Sequence, residues 1–218
     1  MLHFYQHPLV RGFTTNPTLM RQANVTDYEA FAKQVLRLIP DRPISFEVFS
    51  DELDEMEQQA FRIASWGSNV VVKIPVTNTQ GVSTSPVVRT LAASGVTANV
   101  TAVMTQEQIE TAFTALEKCQ AGYVSIFAGR IADTGRDPLP TVCQAVGYSR
   151  KHGKVEVIWA SPREILNVFQ AESVGCHVIT MTSNLFAKLD CVGRDLEDFS
   201  LDTVRMFRRD AVSACYAI

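Results

Sequence analysis

The sequence predicts one α/β domain organised around parallel strands, and three observations carry that expectation. Short apolar runs alternate with amphipathic stretches, several runs are apolar on nearly every residue, and no long linker, repeat or low-complexity tract intervenes. Strands buried on both faces read as continuous Val-, Ile- and Phe-rich runs. Repeated βα units imply a parallel sheet, doubly wound or closed as a (β/α)8 barrel. The 218 residues suffice for one sizeable core.

The strand-like runs are Leu9–Thr14, Ile44–Phe49, Val70–Pro75, Val96–Val103, Tyr123–Phe127, Val155–Ala160 and His177–Thr182. Periodicity thus gives about seven strands, one fewer than a closed barrel needs. Helical patterns fill the gaps. Thr26-x-x-Glu29 reads as a capping box ahead of Phe31, Val35 and Leu38. Ser50 or Asp51 can cap the acidic helix through Met56, Ala60 and Ile63. Thr105-x-x-Gln108 opens another helix, Pro138 and Pro162 sit where first turns begin, and Gly67, Gly95 and Gly153 sit at helix ends. No G-x-G-x-x-G follows a strand, which weighs against a dinucleotide site.

Composition narrows the function. A 46% apolar, 20% charged chain of net charge −3 is that of an ordinary globular protein, without the clustered basic residues of a nucleic-acid binder. No run approaches the roughly 20 apolar residues of a membrane helix, and the start lacks a basic region leading into a long apolar stretch. The five scattered cysteines (Cys119, Cys143, Cys176, Cys191, Cys215) fit free thiols in a reducing compartment, so a cytoplasmic protein is expected. His3, His7, His152 and His177 show no metal-ligand spacing.

In a barrel, reactive groups project from the C-terminal ends of the strands. Those ends carry Asn16, Glu47, Lys73, Asn99 with Thr101, Phe127 with Arg130, Ser161 with Arg163, and Thr180, a polar set on otherwise apolar segments. Lys73 stands out within Val70-Val71-Val72-Lys73-Ile74-Pro75-Val76. A lysine desolvated in a strand can supply a neutral amine able to attack a carbonyl. A strand-end lysine that reaches solvent by its stem, or that pairs with Glu47, fits the same run equally well.

Four ordered motifs resemble the transaldolase family: Gly12-Phe13-Thr14-Thr15-Asn16-Pro17-Thr18-Leu19, Val72-Lys73-Ile74-Pro75-Val76-Thr77, Thr97-Ala98-Asn99-Val100-Thr101, and Val124-Ser125-Ile126-Phe127-Ala128-Gly129-Arg130-Ile131. In length the chain is similar to the small subgroup that includes the fructose-6-phosphate aldolases. The resemblance runs from about Leu9 to the C-terminal helix and implies a (β/α)8 TIM-type barrel, here as a single domain over residues 1–218 with a C-terminal helix. It implies Lys73 as the imine-forming lysine, Glu47 as the acidic residue that helps hold the catalytic water, and Asn99 and Thr101 as hydrogen-bonding the substrate and that water (Thr101 with Lys73 and Glu47 in the catalytic set). It also implies Asn16 as a hydroxyl-binding asparagine, Phe127 as substrate-binding, and Arg130, Ser161 and Arg163 as the phosphate group. Guanidinium forks and a hydroxyl beside a helix start suit a phosphate dianion. Taken singly, the arginines also read as surface ion pairs, and Asn99 or Thr101 as partners of nearby backbone.

Glu47 and Phe127 resemble the transferase pattern, since the aldolase subgroup carries glutamine and tyrosine there. The implied reaction is transfer of a dihydroxyacetone unit from a ketose phosphate to an aldose phosphate through a lysine Schiff base, with no metal or organic cofactor. Cleavage of the fructose-6-phosphate aldolase kind, or sugar-phosphate binding by a catalytically impaired protein, are the alternatives. The expected partners are sugar phosphates, with no nucleic acid and no membrane, and a homo-oligomer is expected. The apolar face Leu201, Val204, Phe207 and Ala211 serves such an interface or the barrel itself.

The resemblance also implies a first strand bearing a proton-transferring aspartate, but no aspartate precedes Asp27. A parallel crossover takes about a dozen residues, so Met1–Gln6 cannot be that strand. The expectation is therefore a barrel lacking its first strand in this sequence, for which a start site placed too late, a truncated product and an altered member are the alternatives. Loss of a proton-transfer group typically costs ~10²–10⁴-fold in rate.

Overall fold

A computed structural model describes residues 1–216 of the chain. Seven parallel strands lie side by side in sequence order: β1 Phe13–Thr14, β2 Ile44–Glu47, β3 Val70–Pro75, β4 Ala98–Val103, β5 Gly122–Ile126, β6 Val155–Trp159 and β7 Val178–Ile179. They form a curled half-barrel, the TIM-type (β/α)8 fold short of one strand. The helices among the described residues are α1 Leu2–Tyr5, α2 Pro17–Gln22, α3 Tyr28–Leu38, α4 Leu53–Ala64, α5 Ser85–Ala93, α6 Gln106–Ala115, α7 Ala128–Asp133, α8 Leu139–His152, α9 Leu166–Ser173, α10 Ser183–Phe186 and α11 Leu196–Ser213. The chain forms two compact units, Met1–Met181, which holds the sheet, and Thr182–Ile218. In the second unit, Thr182 caps α10, and the Asp195 carboxylate accepts from the Glu197 and Asp198 amides to start α11.

The core lies between the strands and their covering helices. Phe46, Val72, Ile74, Val100, Val124, Ile126, Val157 and Trp159 are buried on the sheet. They pack with helical residues spaced three or four apart, such as Met56, Ala60 and Ile63 of α4 and Ile109, Ala112 and Phe113 of α6. The opposite face of the same strands carries polar side chains. A lumen that is polar at one end cannot be read as an apolar core, and it is where the candidate site lies.

The expected strands all form, but the outer two are short. β1 and β7 are two-residue edges, against the six-residue runs Leu9–Thr14 and His177–Thr182. Each pairs with one neighbour only, so fewer ladder bonds hold its ends. Three helix starts differ from expectation. Asp27, not Thr26, caps α3 by accepting from the Ala30 amide at 2.9 Å. Neither Ser50 nor Asp51 caps α4, which starts from Glu52 with no side-chain cap. The Asp51 carboxylate accepts instead from the Thr79 amide (2.7 Å) and hydroxyl (2.6 Å), tying the loop after β2 to the loop after β3. Those bonds hold its carboxyl below the usual carboxylate range. α9 begins at Leu166, four residues after Pro162; in between, the Arg163 and Glu164 amides donate to Asn167 Oδ1 at 2.8 and 3.2 Å.

Thr105 caps α6 as its motif predicts, with Thr105 Oγ1 accepting from the Gln108 amide at 3.2 Å and Gln108 Oε1 from the Thr105 amide at 3.1 Å. Thr105→Ala removes one arm of this reciprocal cap, and a loss of about 1 kcal/mol is expected in urea unfolding.

Candidate active site

The register of three adjacent strands assembles the centre. Glu47 of β2 lies opposite Lys73 of β3, and Lys73 opposite Asn99 of β4. Alternation along the strands puts Ser45 with Glu47, Asn99 with Thr101, and Ser125 with Phe127 on the same inner face.

Lys73 is buried, with 8% of its surface exposed. Its Nζ donates to Glu47 Oε2 at 3.0 Å and to the Thr15 carbonyl at 3.2 Å. Both readings of the strand-core lysine therefore meet: it is desolvated and it pairs with Glu47. A buried amine needs its N–H groups satisfied, and the Thr15 carbonyl takes one of them beside the part-buried Glu47.

Below Lys73 runs a chain of buried polar groups. The Ser125 hydroxyl donates to Asn99 Oδ1 at 2.8 Å, and Asn99 Nδ2 donates to Ser45 Oγ at 3.5 Å. With its oxygen on Ser125 and one N–H on Ser45, Asn99 has a second N–H to offer in the lumen. Asn99 thus bonds side chains and not the neighbouring backbone. Among the described residues, the buried Thr101 hydroxyl has no hydrogen-bond partner. Next to it β4 is irregular: Ala102 has φ +62°, and the pairing with β5 shifts register between Val100 and Val103. A bulge of this kind re-aims the side chains beside it.

Asn16 stands at the end of β1, but its Oδ1 accepts from the Leu19 amide at 2.8 Å and caps α2. Its Nδ2 is the part left to meet a ligand. Phe127 is the N-cap residue of α7, with Arg130 exposed one turn on.

The ends of β5 and β6 group Arg130, Ser161 and Arg163. Ser161 adopts φ +60°, a left-handed conformation that costs a serine energy. Its carbonyl sits against Gly129, where a Cβ would come within 1.5 Å of the Ser161 oxygen. Only glycine fits there. Arg163 Nε and Nη2 engage the two oxygens of Asp133 on α7, Nε at 2.9 Å, and both side chains are about half exposed. This pairing holds the Asp133 carboxyl below the usual range and raises Arg163 further, and Arg130 adds attraction on Asp133. The surface-ion-pair reading of Arg163 therefore describes its state in this structure. Thr180, at the end of β7, bonds back to the Trp159 carbonyl through its amide at 3.0 Å.

Sequence reasoning missed Ser45, Ser125, Thr15, Tyr28 and Asp133. The two serines were detectable as hydroxyls two residues before Glu47 and Phe127 in apolar runs, hence on the same face. Thr15 acts through its main-chain carbonyl and Tyr28 from a helix, so neither leaves a local signal.

A half-barrel of parallel strands with a buried lysine beside a part-buried carboxylate at adjacent strand ends defines a class of α/β-barrel proteins with an amine-centred site. The likeness to solved structures is in the fold alone. Mandelate oxidase with 3,3-difluoro-2-hydroxy-3-phenylpropionic acid aligns at TM-score 0.52 and 11% identity, over 78% of this chain and 63% of that one. Sequence comparison narrows the class. The family model described as Transaldolase/Fructose-6-phosphate aldolase matches residues 1–218, and the chain belongs to that family. A "Probable transaldolase 2" of Listeria monocytogenes is 37% identical over 182 residues, covering 83% of this chain and 79% of that protein. A "Probable transaldolase" of Streptococcus equi subsp. equi is 36% identical over the same length, covering 83% and 80%.

Gly129→Ala drives a methyl group into the Ser161 carbonyl. A loss of roughly 3 kcal/mol or more is expected, read as a lower urea midpoint at unchanged slope.

Proposed function

We propose that this protein transfers a dihydroxyacetone unit from a ketose phosphate to an aldose phosphate through an imine on Lys73. The observation that carries the reading is the Lys73 amine, buried in a strand and hydrogen-bonded to the Glu47 carboxylate. A part-buried carboxylate at 3.0 Å can take the ammonium proton and leave the neutral amine that attacks a carbonyl.

The electron bookkeeping then follows from the imine. Neutral Lys73 adds to the ketose C2, and the carbinolamine loses water to give the iminium. The C4 hydroxyl gives up its proton as the C3–C4 bond breaks, and the bonding pair moves into the iminium to form an enamine while the aldehyde leaves. The enamine carbon attacks the carbonyl of an aldose phosphate, the new alkoxide is protonated, and water hydrolyses the iminium to free Lys73. Glu47 is the carboxylate bonded to the amine and is suited to move protons in these steps. Asn99 and the unpartnered Thr101 hydroxyl offer a donor and a donor–acceptor to the substrate hydroxyls or to that water, and Asn16 offers its amide N–H groups. Phe127 supplies no proton, which suits an enamine that waits for an acceptor.

Arg130, Ser161 and Arg163 serve the phosphate in this reading, and a phosphate at Arg163 competes with Asp133 for the guanidinium. The Asp133 carboxyl stays charged until pH falls through its lowered value, so the competition persists at neutral pH. Asp133→Asn is expected to tighten binding of inorganic phosphate by a factor of about 2–5 at neutral pH in calorimetry.

The test of the reaction is covalent. Incubation with fructose 6-phosphate and borohydride is expected to leave a reduced adduct on the Lys73 peptide, absent in Lys73→Met. Turnover is expected to require an added aldose phosphate. A folded protein with no adduct would overturn the proposal.

A further inference from the structure

The parallel ladder between β1 and β2 stops one bond short, at the position where it would have met Lys73. The Phe13 amide donates to the Pro43 carbonyl and the Thr15 amide to the Ser45 carbonyl, both at 2.9 Å. In a parallel pair, the next bond of this series would run from the Glu47 amide to the Thr15 carbonyl. Neither group does so. The Thr15 carbonyl accepts from Lys73 Nζ, and the Glu47 amide donates to the Tyr28 hydroxyl at 3.0 Å.

The proton directions around Tyr28 are fixed by counting. Thr15 Oγ1 lies 2.9 Å from the Ser45 carbonyl, which can only accept, so the threonine proton goes there. Thr15 Oγ1 must then accept from Tyr28, 3.1 Å away. Tyr28 in turn accepts from the Glu47 amide, so its hydroxyl is fully used, with one bond given and one taken. Burial pushes the phenol above its ordinary value, so it stays protonated and able to donate. Its ring is held edge-on by Phe46 (5.9 Å) and Trp66 (5.7 Å) and tilted against Phe49 (4.7 Å).

We propose that Tyr28 is a positioning residue for Lys73: its hydroxyl takes the Glu47 amide in place of the Thr15 carbonyl, so the lysine has that carbonyl undivided. The inference rests on the reading of Lys73 as the reactive amine. Tyr28 touches no reacting atom. Its effect passes through β1, a two-residue edge held to β2 by few ladder bonds, and through the main chain of Glu47, whose side chain is the other partner of Lys73. Among the described residues, Glu47 is the charged group bonded to the amine, Tyr28 the titratable group next behind it, and β4 faces the site with uncharged Asn99 and Thr101.

Tyr28→Phe keeps the ring and removes the hydroxyl. The Glu47 amide is then free to close the ladder onto the Thr15 carbonyl, which must divide itself between that amide and Lys73, and the bond that holds the amine is weakened. The measurement is acetylation of wild type and variant with acetic anhydride across pH, following the Lys73 peptide by mass against exposed lysines. The pH midpoint of Lys73 labelling is expected to fall in the variant, so that below the wild-type midpoint its Lys73 is labelled roughly 2–5-fold faster relative to exposed lysines. Thr15→Val, which removes the group that aims the phenol, is expected to shift the midpoint the same way, and Thr15→Ser to leave it at the wild-type value. A purely structural role would lower the melting temperature without moving the midpoint. An unmoved midpoint in folded Tyr28→Phe, or in Thr15→Val should the first not fold, would overturn the proposal. Acetylation does not depend on sugar chemistry, so borohydride trapping of the wild type judges the imine reading separately.

Discussion

The candidate site of this protein depends on the register of β2, β3 and β4. Parallel pairing sets Glu47 beside Lys73 and Lys73 beside Asn99, and alternation aims all three into the lumen. A slip of one residue in any of these strands would turn its polar group into the helical layer and an apolar one into the site. The apolar residues between them, Phe46, Val72, Ile74, Ala98 and Val100, enforce the register by packing under the helices. The core thus holds the chemistry in place, and the pair Lys73–Glu47 adds little of its own to stability once desolvation is counted.

Much of the fold was legible because buried parallel strands have a plain signature. β3 forms over the span that Val70–Pro75 predicts, and the central strands fall within a residue or two of their runs. The edges were misjudged because an apolar run records burial, whereas strand structure needs a partner, and β1 and β7 have one each. The helix caps went wrong where two candidates stood side by side: Thr26 and Asp27 both can cap, and Asp51 was drawn off by Thr79 on another loop. Such competition is decided by tertiary contacts, which a local pattern does not hold.

The candidate site was legible to the extent that a charge breaks an apolar run. Lys73 is conspicuous in its strand, and Glu47, Asn99 and Thr101 follow from their strand ends. What surrounds them was hidden for different reasons. The Thr15 contribution is a backbone carbonyl, which every residue possesses. Tyr28 reads as an ordinary aromatic at a helix start. Asp133 is one acidic residue among many, and its hold on Arg163 comes from α7 and the loop after β6 lying side by side, 30 residues apart in sequence.

Thr101 has a cost attached. A buried hydroxyl without a partner forfeits about 1–3 kcal/mol of desolvation, and valine at the same place would fill the same volume without that penalty. The lumen around Lys73 is thus kept less stable than its shape allows. A population of variants selected for heat resistance alone would drift towards an apolar lumen there, and would lose the hydroxyl that is free to meet a ligand while it gained in melting temperature.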